Sequence, residues 1–405
     1  MKLNEKFLET MREATQLLQS GGPQAATKAI QRALLGDGEQ KEERDPGAPD
    51  IVDINPTPSR HKEAHSSGFT PRSFSKQWPD VTDITWENPL ETLRQPAFKE
   101  ADPHADHQTQ TPGRFLSASC TNQAGTRSYK LYIPSAYKGE ALPMIVMLHG
   151  CKQNPDDFAA GTKMNHVAEK YNCFVVYPAQ VKAANSSNCW QWFHPSDQAR
   201  EGTEPSIIAD ITRKVMHEYR VDPDRVFIAG LSAGAAMAAI VASAYPELYA
   251  AVGIHSGLPV GSAHDVPSAF QAMKGGGKTI RKNPACHVVP AIVFHGERDH
   301  TVHPDNGIRT LAQCMNTTAD VLQNGHLAHA AQVKQGKVAG GRSYIQTIYY
   351  DHARMPVAEY WTIHGAGHAW SGGSKRGSYT DPKGPDASEE MLRFFEAHPH
   401  PRKAS

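Results

Sequence analysis

The segment Arg225-Val-Phe-Ile-Ala-Gly-Leu-Ser-Ala-Gly234 decides the fold of this 405-residue chain. An apolar strand leads into the pentapeptide Gly-Leu-Ser-Ala-Gly, and the following ten residues, 235–244, are the small and apolar residues of a helix. Gly230 and Gly234 carry no Cβ atoms, which leaves room for a sharp turn around a serine held in a strained conformation. The sequence therefore predicts a strand, a tight turn and a helix, with the hydroxyl of Ser232 exposed at the turn.

This arrangement is the nucleophile elbow typical of α/β-hydrolase folds. The helix after the turn would point its backbone N–H groups, and the positive end of its dipole, at the place where a tetrahedral oxyanion forms. Because glycine and serine are common residues, Gly-x-Ser-x-Gly alone is a weak signal, and the flanking strand and helix carry the inference. We therefore expect Ser232 to act as a nucleophile.

A catalytic acid and a base should follow the serine in the order that this fold imposes, Asp or Glu and then His. The apolar strand 291–294 ends in a loop that carries Asp299, and the strand 359–363 ends in a glycine-rich loop that carries His368. Both residues come just after a strand, where an open parallel sheet places its active site. We expect His368 to accept the proton of Ser232, and Asp299 to orient the imidazole and stabilise its charged form.

Two rival residues lie close to these positions. Asp305 follows Asp299 in the same loop, and we favour Asp299 because it is nearer to the strand end. His364 precedes His368, but it belongs to the strand end rather than to the loop. The chain contains 21 histidines, so one histidine on its own is weak evidence.

The second donor of an oxyanion hole should come from the loop after an earlier strand. The continuous apolar stretch 143–148 opens into His149-Gly150-Cys151, where the glycine lets the backbone approach a substrate carbonyl. We expect the backbone amides of Cys151 and Ala233 to form the oxyanion hole.

Five motifs in order make the chain resemble a known family. They are Leu148-His-Gly-Cys151, Asn188-Cys-Trp-Gln-Trp-Phe193, Gly230-Leu-Ser-Ala-Gly234, His295-Gly-Glu-Arg-Asp299 and Gly365-Ala-Gly-His-Ala-Trp-Ser-Gly-Gly373. Over roughly residues 113 to 397 the chain is similar to the catalytic domain of poly(3-hydroxybutyrate) depolymerases, and more loosely to feruloyl and acetylxylan esterases. The resemblance implies the same triad and oxyanion pair. It also implies substrate-binding residues at the mouth of the site, namely His149, Trp190, Trp192 and Trp370.

Composition excludes several other classes of function. With 42 basic and 42 acidic residues the formal charge is zero, so no basic field is present to bind nucleic acid. Neither an apolar stretch of about 18 residues nor a signal-peptide core is visible, which predicts no membrane contact and a cytoplasmic location, although the family resemblance alone would suggest an extracellular one. No Cys-x-x-Cys pair is present, and we expect no metal and no cofactor.

Cys151 and Cys189 flank the predicted site. A disulfide between them and two unpaired thiols are equally compatible with the sequence.

The chain divides into four regions. Residues 1–36 have the apolar spacing of a helical hairpin, and 37–112 form a linker rich in Pro and charge that we expect to be largely disordered. Residues 113–398 alternate strands and helices, which predicts an α/β fold with a mostly parallel central sheet of about eight strands flanked by helices. Residues 399–405 are a polar tail.

These features predict a serine esterase that hydrolyses short-chain or hydroxyalkanoate esters, oligomeric or polymeric, through an acyl-enzyme. The absence of a polymer-binding domain after the last helix favours soluble oligomers and short esters over crystalline granules. A feruloyl or acetylxylan type of esterase that acts on carbohydrate esters is one alternative. An acyltransferase with the same triad and a non-catalytic scaffold are two others.

Overall fold

The computed structural model describes residues 113–275, 289–317, 331–351 and 353–401. The predicted hairpin 1–36, the linker 37–112 and residues 402–405 of the predicted tail lie outside the described residues. Those domain assignments stay predictions.

Ten strands of the described part form one sheet, in the spatial order β1-β2-β4-β3-β5-β6-β7-β10-β9-β8. Their bounds are β1 (Arg114–Asn122), β2 (Gly125–Ile133), β3 (Leu142–Leu148), β4 (Phe174–Pro178), β5 (Val221–Leu231), β6 (Ala251–His255), β7 (Ala291–Gly296), β8 (Ala331–Lys337), β9 (Ser343–Tyr350) and β10 (Pro356–Ile363). The six central strands, from β4 to β10 in the spatial order, run parallel. The outer strands on both sides pair antiparallel.

Helices cover both faces of this sheet. They are α1 (Pro155–Thr162), α2 (Met164–Tyr171), α3 (Thr203–Glu218), α4 (Ala233–Ala244), α5 (Val266–Met273), α6 (Asp305–Cys314) and α7 (Ala387–Glu396). Alternate residues of each buried central strand point to opposite faces, so the sheet separates two apolar cores. One core includes residues of α3, α4 and α6, and the other includes residues of α1, α2 and α7.

The sheet has ten strands where the sequence predicted about eight. The two strands that the prediction missed are β1 and β8, which occupy the two edges of the sheet. Most side chains of β1 are exposed or half-buried, and those of β8 are almost all exposed. Edge strands like these need no apolar run, so their sequences gave little hydrophobic signal.

Four connections place the candidate functional residues at one edge of the sheet. The strands β3, β5, β7 and β10 all run parallel, so the loops that follow them leave from the same, carboxyl-terminal edge. Those loops carry Cys151, Ser232, Asp299 and His368 respectively. This is the edge at which open α/β sheets place ligands.

Candidate active site

The turn between β5 and α4 holds Ser232 in a conformation that few residues other than glycine adopt. Its φ is 57° and its ψ is −120°, and its backbone N–H donates a hydrogen bond to the carbonyl oxygen of His255 at 2.9 Å. A Cβ atom on Gly230 would collide with the backbone of Gly234, and one on Gly234 would collide with the carbonyl oxygen of Leu148. Both glycines are therefore required by close backbone approach. The strained serine is the feature expected of a nucleophile elbow.

Asp299 and His368 form a hydrogen-bonded pair at the same edge of the sheet as this turn. The distance from His368 Nδ1 to Asp299 Oδ2 is 2.7 Å, and the Asp299 side chain is buried. The other carboxylate oxygen accepts hydrogen bonds from the backbone N–H groups of Thr301 at 2.9 Å and Val302 at 2.8 Å. The carboxylate is thus fixed with one oxygen directed at the imidazole.

The environment of Asp299 keeps it ionised. Burial by itself would raise the pKa of this carboxyl, but the hydrogen bonds from His295 and His368, the charge of His368 and the Val302 amide together hold the pKa well below its usual range. His295 is itself buried, with its Nε2 2.9 Å from the Val302 carbonyl oxygen and 3.5 Å from Asp299 Oδ2. An ionised carboxylate is the form that can stabilise an imidazolium.

The loops that carry the acid and the base are bonded to each other. The backbone N–H of Arg298 donates to the carbonyl oxygen of Ala366 at 2.8 Å, and that of Glu297 donates to Ile363 at 3.0 Å. A Cβ atom on Gly296 would collide with this second loop. These contacts hold the loop of His368 against the loop of Asp299.

The two rival residues have other partners. The carboxylate of Asp305, at the start of α6, is half exposed and lies 3.6 Å from His303 Nδ1 and 3.9 Å from Arg309. The imidazole of His364 lies 3.4 Å from the carboxylate of Glu297. The structure therefore brings Asp299, and not Asp305, to His368.

The loop after β3 lies against the serine turn. Gly234 packs on the carbonyl oxygens of Leu148 and His149, so the start of α4 and the segment Gly150–Cys151 are neighbours. Within the described part of the chain, neither the backbone N–H of Cys151 nor that of Ala233 donates a hydrogen bond to another protein group. Two neighbouring amide donors without a protein acceptor are what an oxyanion hole requires.

Cys151 and Cys189 form a disulfide. The sequence left this pairing open, and the structure decides it. The bond ties the loop after β3 to the segment that carries Trp190, 38 residues further along the chain.

Comparison with known proteins agrees with the geometry. The family model described as Esterase PHB depolymerase matches residues 127–331, just over half of the chain. The chain belongs to this family. The resemblance predicted from the five motifs is thereby confirmed.

Several relatives of this PHB depolymerase family member have been described. The chain is 30% identical over 262 residues to "Poly(3-hydroxyalkanoate) depolymerase C" of Paucimonas lemoignei, which covers 61% of this chain and 59% of that protein. It is 27% identical over 210 residues to "Probable acetylxylan esterase A" of Aspergillus fumigatus, which covers 48% of this chain and 55% of that protein. The chain thus spans less than two thirds of the length of either relative.

A solved structure supports the fold. The acetyl xylan esterase from Aspergillus awamori superposes with a TM-score of 0.54 at 18% identity, covering 70% of this chain and 99% of that one. At this identity the similarity shows the fold alone. The predicted α/β-hydrolase fold is confirmed.

The predicted substrate-binding role of four residues stays a prediction, while their burial differs from the placement that the family resemblance implied. Of the four, His149, Trp190, Trp192 and Trp370 are all buried, so they do not line an open mouth in this structure. The indole N–H of Trp190 donates to the carbonyl oxygen of His149 at 3.0 Å, and that of Trp370 donates to Ser388 Oγ at 3.1 Å. Tryptophan has both a large apolar surface and a polar N–H, and here internal partners satisfy both.

The sequence placed His255 among several histidines near strand ends and gave it no role, whereas in the structure it connects the serine turn to the segment that follows His368. Its carbonyl oxygen accepts the Ser232 N–H, and its Nε2 accepts the N–H of Ser371 at 3.0 Å. Its ring stacks on Trp370 with centroids 5.2 Å apart. Burial above all, and then the neighbouring His295 and His368, lower the pKa of His255 to about 3. The sequence signal that could have identified His255 is its position at the end of β6, the strand that pairs with the strand leading to Ser232.

No cluster of three His, Cys, Asp or Glu side chains suited to a metal ion occurs in the residues that the structure describes. The helices in those same ranges include none that is long and apolar enough to cross a bilayer.

Proposed function

We propose that the chain is a serine esterase that hydrolyses carboxylic esters through an acyl-enzyme on Ser232. The observation that carries this proposal is the 2.7 Å hydrogen bond between His368 Nδ1 and Asp299 Oδ2 at the sheet edge that also carries the strained serine. With its Nδ1 proton donated to Asp299, the neutral imidazole offers Nε2 as the base. The family to which the chain belongs is one of esterases.

The reaction follows from these roles. His368 Nε2 takes the Ser232 hydroxyl proton while Ser232 Oγ attacks the ester carbonyl, and the amides of Cys151 and Ala233 bind the resulting oxyanion. The intermediate collapses, the C–O bond to the alcohol breaks, and the imidazolium returns its proton to the leaving alcohol. Water, activated by the same imidazole, then attacks the acyl-enzyme, and the acid is released with Ser232 regenerated.

Hydroxyalkanoate oligomers and short-chain esters are the substrates that we propose. The relative with the highest identity quoted above is named as a poly(3-hydroxyalkanoate) depolymerase. A second candidate, the acetyl ester of a xylan, is favoured by the acetylxylan esterase names of other relatives. The two substrate classes differ in the acyl group that Ser232 would carry, which is a hydroxyacyl group in the first and an acetyl group in the second.

The experiment compares three substrates with the purified full chain, namely p-nitrophenyl butyrate, a 3-hydroxybutyrate trimer and an acetylated xylooligosaccharide. We expect the trimer to be cleaved with a kcat/KM at least tenfold above that of the acetylated sugar, and Ser232→Ala to lower kcat about 10⁶-fold. The reverse order of substrates would identify the carbohydrate esterase. Product analysis with added alcohols detects an acyltransferase, because an acceptor other than water would then carry the acyl group.

The disulfide bears on location. Disulfides persist in oxidising compartments and are rare in the cytosol. The Cys151–Cys189 bridge therefore favours an oxidising compartment, while the cytoplasmic location predicted from the sequence stays a prediction.

A further inference from the structure

Glu204 is a buried carboxylate that the proposed reaction does not use. It lies in the first turn of α3 and is 1% exposed. Its Oε1 accepts a hydrogen bond from Gln180 Nε2, and its Oε2 accepts one from the backbone N–H of Gln191 at 2.7 Å. A buried carboxylate is costly unless it is hydrogen-bonded, so these two contacts account for its tolerance in the core.

The first contact leads to the loop after β3. The backbone N–H of Gln180 donates to His149 Nε2 at 3.1 Å, which leaves the ring proton on Nδ1. His149 Nδ1 then donates to the carbonyl oxygen of Gly150 at 2.8 Å. That carbonyl belongs to the same planar peptide unit as the N–H of Cys151, so whatever fixes the carbonyl also fixes the direction of the N–H.

The second contact leads to the same loop from the other side. Gln191 follows Cys189 by two residues, and Cys189 is bonded to Cys151. The side chain of Gln180 also donates to the carbonyl oxygen of Cys189 at 3.0 Å. Glu204 thus accepts hydrogen bonds from two segments of the chain. The segment of Gln180 is linked through His149 to the Gly150–Cys151 peptide, and the segment of Gln191 is linked to Cys151 through the disulfide.

We propose that Glu204 is a positioning residue for the oxyanion hole, which acts through Gln180 and Gln191 to orient the Gly150–Cys151 peptide. The inference rests on the proposed esterase function and deepens it. The hydrogen bonds of Glu204 join it to Gln180, Gln191 and Asp197, and none joins it to Ser232. Its effect should therefore appear in the stabilisation of the transition state, where the oxyanion exists, and not in the binding of the substrate.

The state of Glu204 decides the conditions of the test. Burial raises the pKa of Glu204 to about 7; the bonds from Gln191 and Gln180 and the charge of Arg127 oppose this rise, while the charge of Asp197 adds to it. The ionised form accepts both hydrogen bonds at full strength. Assays above pH 8 therefore measure the enzyme with the network complete.

The test compares Glu204→Gln with Glu359→Gln. Glu359 is a control of similar burial, because it is 3% exposed and also accepts hydrogen bonds from a glutamine side chain, Gln346 at 2.9 Å, and from Trp361 Nε1 at 3.0 Å. It also pairs with Arg393 at 2.7 Å, so its neutralisation tests general damage at least as severely. In Glu204→Gln one of the two acceptor oxygens becomes an NH2 group, so a donor faces either Gln180 Nε2 or the Gln191 N–H, whichever way the amide turns. We expect kcat on p-nitrophenyl butyrate to fall roughly 10- to 100-fold with KM within threefold, which is less than the loss of a whole oxyanion donor. Glu359→Gln should keep kcat within about threefold even where its melting temperature falls.

Two further measurements separate positioning from general damage. An alkyl boronic acid forms a tetrahedral adduct with Ser232 that places an oxygen in the oxyanion hole, so its inhibition constant should rise by the same factor as kcat falls. Adding Gln180→Glu to Glu204→Gln restores a donor opposite an acceptor between these two side chains but removes the bond from Gln180 Nε2 to the Cys189 carbonyl oxygen. We therefore expect it to recover part, and not all, of the lost activity. If Glu204→Gln does not fold, Gln180→Met is judged by the same kcat and boronate criteria.

The outcomes are distinct. A kcat and boronate affinity equal to those of wild type in Glu204→Gln, or equal losses in Glu204→Gln and Glu359→Gln, would overturn the inference while the esterase function stands. A loss confined to KM would overturn it as well. A wild-type chain that cleaves no ester would overturn both proposals.

Discussion

The two sides of Ser232 are held in different ways. On one side, Asp299 and His368 sit on neighbouring loops that bond directly to each other, and the carboxylate takes its other hydrogen bonds from residues two and three positions away. On the other side, the Cys151 loop is joined by a disulfide to Cys189 and, as we propose, is oriented through Gln180 by Glu204, 53 residues further along the chain. The proposed acid and base are thus positioned locally, whereas the proposed oxyanion hole is bonded to distant segments.

The largest expected effect on kcat comes from a substitution in the Asp299–His368 pair. Asp299→Asn should keep the fold but lower kcat about 10⁴-fold, because an amide favours the wrong histidine tautomer and cannot balance the imidazolium charge. Steady-state kinetics on p-nitrophenyl butyrate measure this. Asp305→Asn is the control and should change kcat less than threefold, since its carboxylate lies with His303 and Arg309. A reversed result would make Asp305 the acid.

A smaller effect on kcat is expected from removal of the disulfide on the side of the Cys151 loop. Replacing both Cys151 and Cys189 with alanine removes the link between the two loops. For a loop of this length the chain-entropy model gives a loss of about 4 kcal/mol in the free energy of unfolding. We also expect kcat to fall roughly tenfold with KM little changed, because the Cys151 amide loses one of its supports. Urea unfolding and steady-state kinetics measure the two effects.

A control for the disulfide is available in the same chain. Cys120 and Cys173 are buried thiols without a disulfide. Cys120→Ala should leave kcat unchanged. If it lowers kcat as much as the double replacement does, loss of packing and not loss of the link explains the effect.

The smallest effect concerns His255, which connects the serine turn to the segment that follows His368. Burial is the main cause that lowers the pKa of His255 to about 3 and that of His149 to about 4, below their ordinary value of 6.5. The free energy of unfolding is not reduced by such a histidine above its ordinary pKa. It decreases as pH falls toward the lowered pKa, because the unfolded chain takes up the proton first. Between about pH 6.5 and pH 4.5 this amounts to roughly 2 to 3 kcal/mol for each ring.

Urea unfolding at these two pH values, in wild type and in His255→Gln, checks this prediction. We expect the variant to lose less stability on acidification. The quantity to compare is the change in the free energy of unfolding between the two pH values, in the variant against wild type. Glu204, with its raised pKa of about 7, acts in the opposite direction in both proteins, because its contribution to stability is present at low pH and is lost as pH rises toward 7. Equal slopes in the two proteins would mean that His255 does not titrate in this range.

The local side is also the side that the sequence predicts best. The elbow of Ser232 and the loops of Asp299 and His368 each follow a buried apolar strand, and chain order assigns their roles. The pairing of Cys151 with Cys189 could not be chosen in advance, because spacing does not determine a disulfide. Glu204 gave no signal, since its partners are distant in sequence and a glutamate near a helix start is ordinarily exposed.

The aromatic residues show a second limit. A tryptophan in a family motif is compatible both with packing and with substrate contact, and only the three-dimensional arrangement distinguishes them. Trp190 and Trp370 proved to be buried, with internal acceptors for their N–H groups. The edge strands β1 and β8 were missed because exposed strands lack an apolar pattern.

The most direct test of the central claim is to identify the nucleophile by mass spectrometry. A fluorophosphonate reacts covalently with an activated serine, and its adduct stays on that residue. We predict one adduct per chain, on the peptide that contains Ser232, and none in the Ser232→Ala variant or after prior incubation with the boronic acid. An adduct on another residue, or no adduct on a folded chain that cleaves esters, would contradict the account.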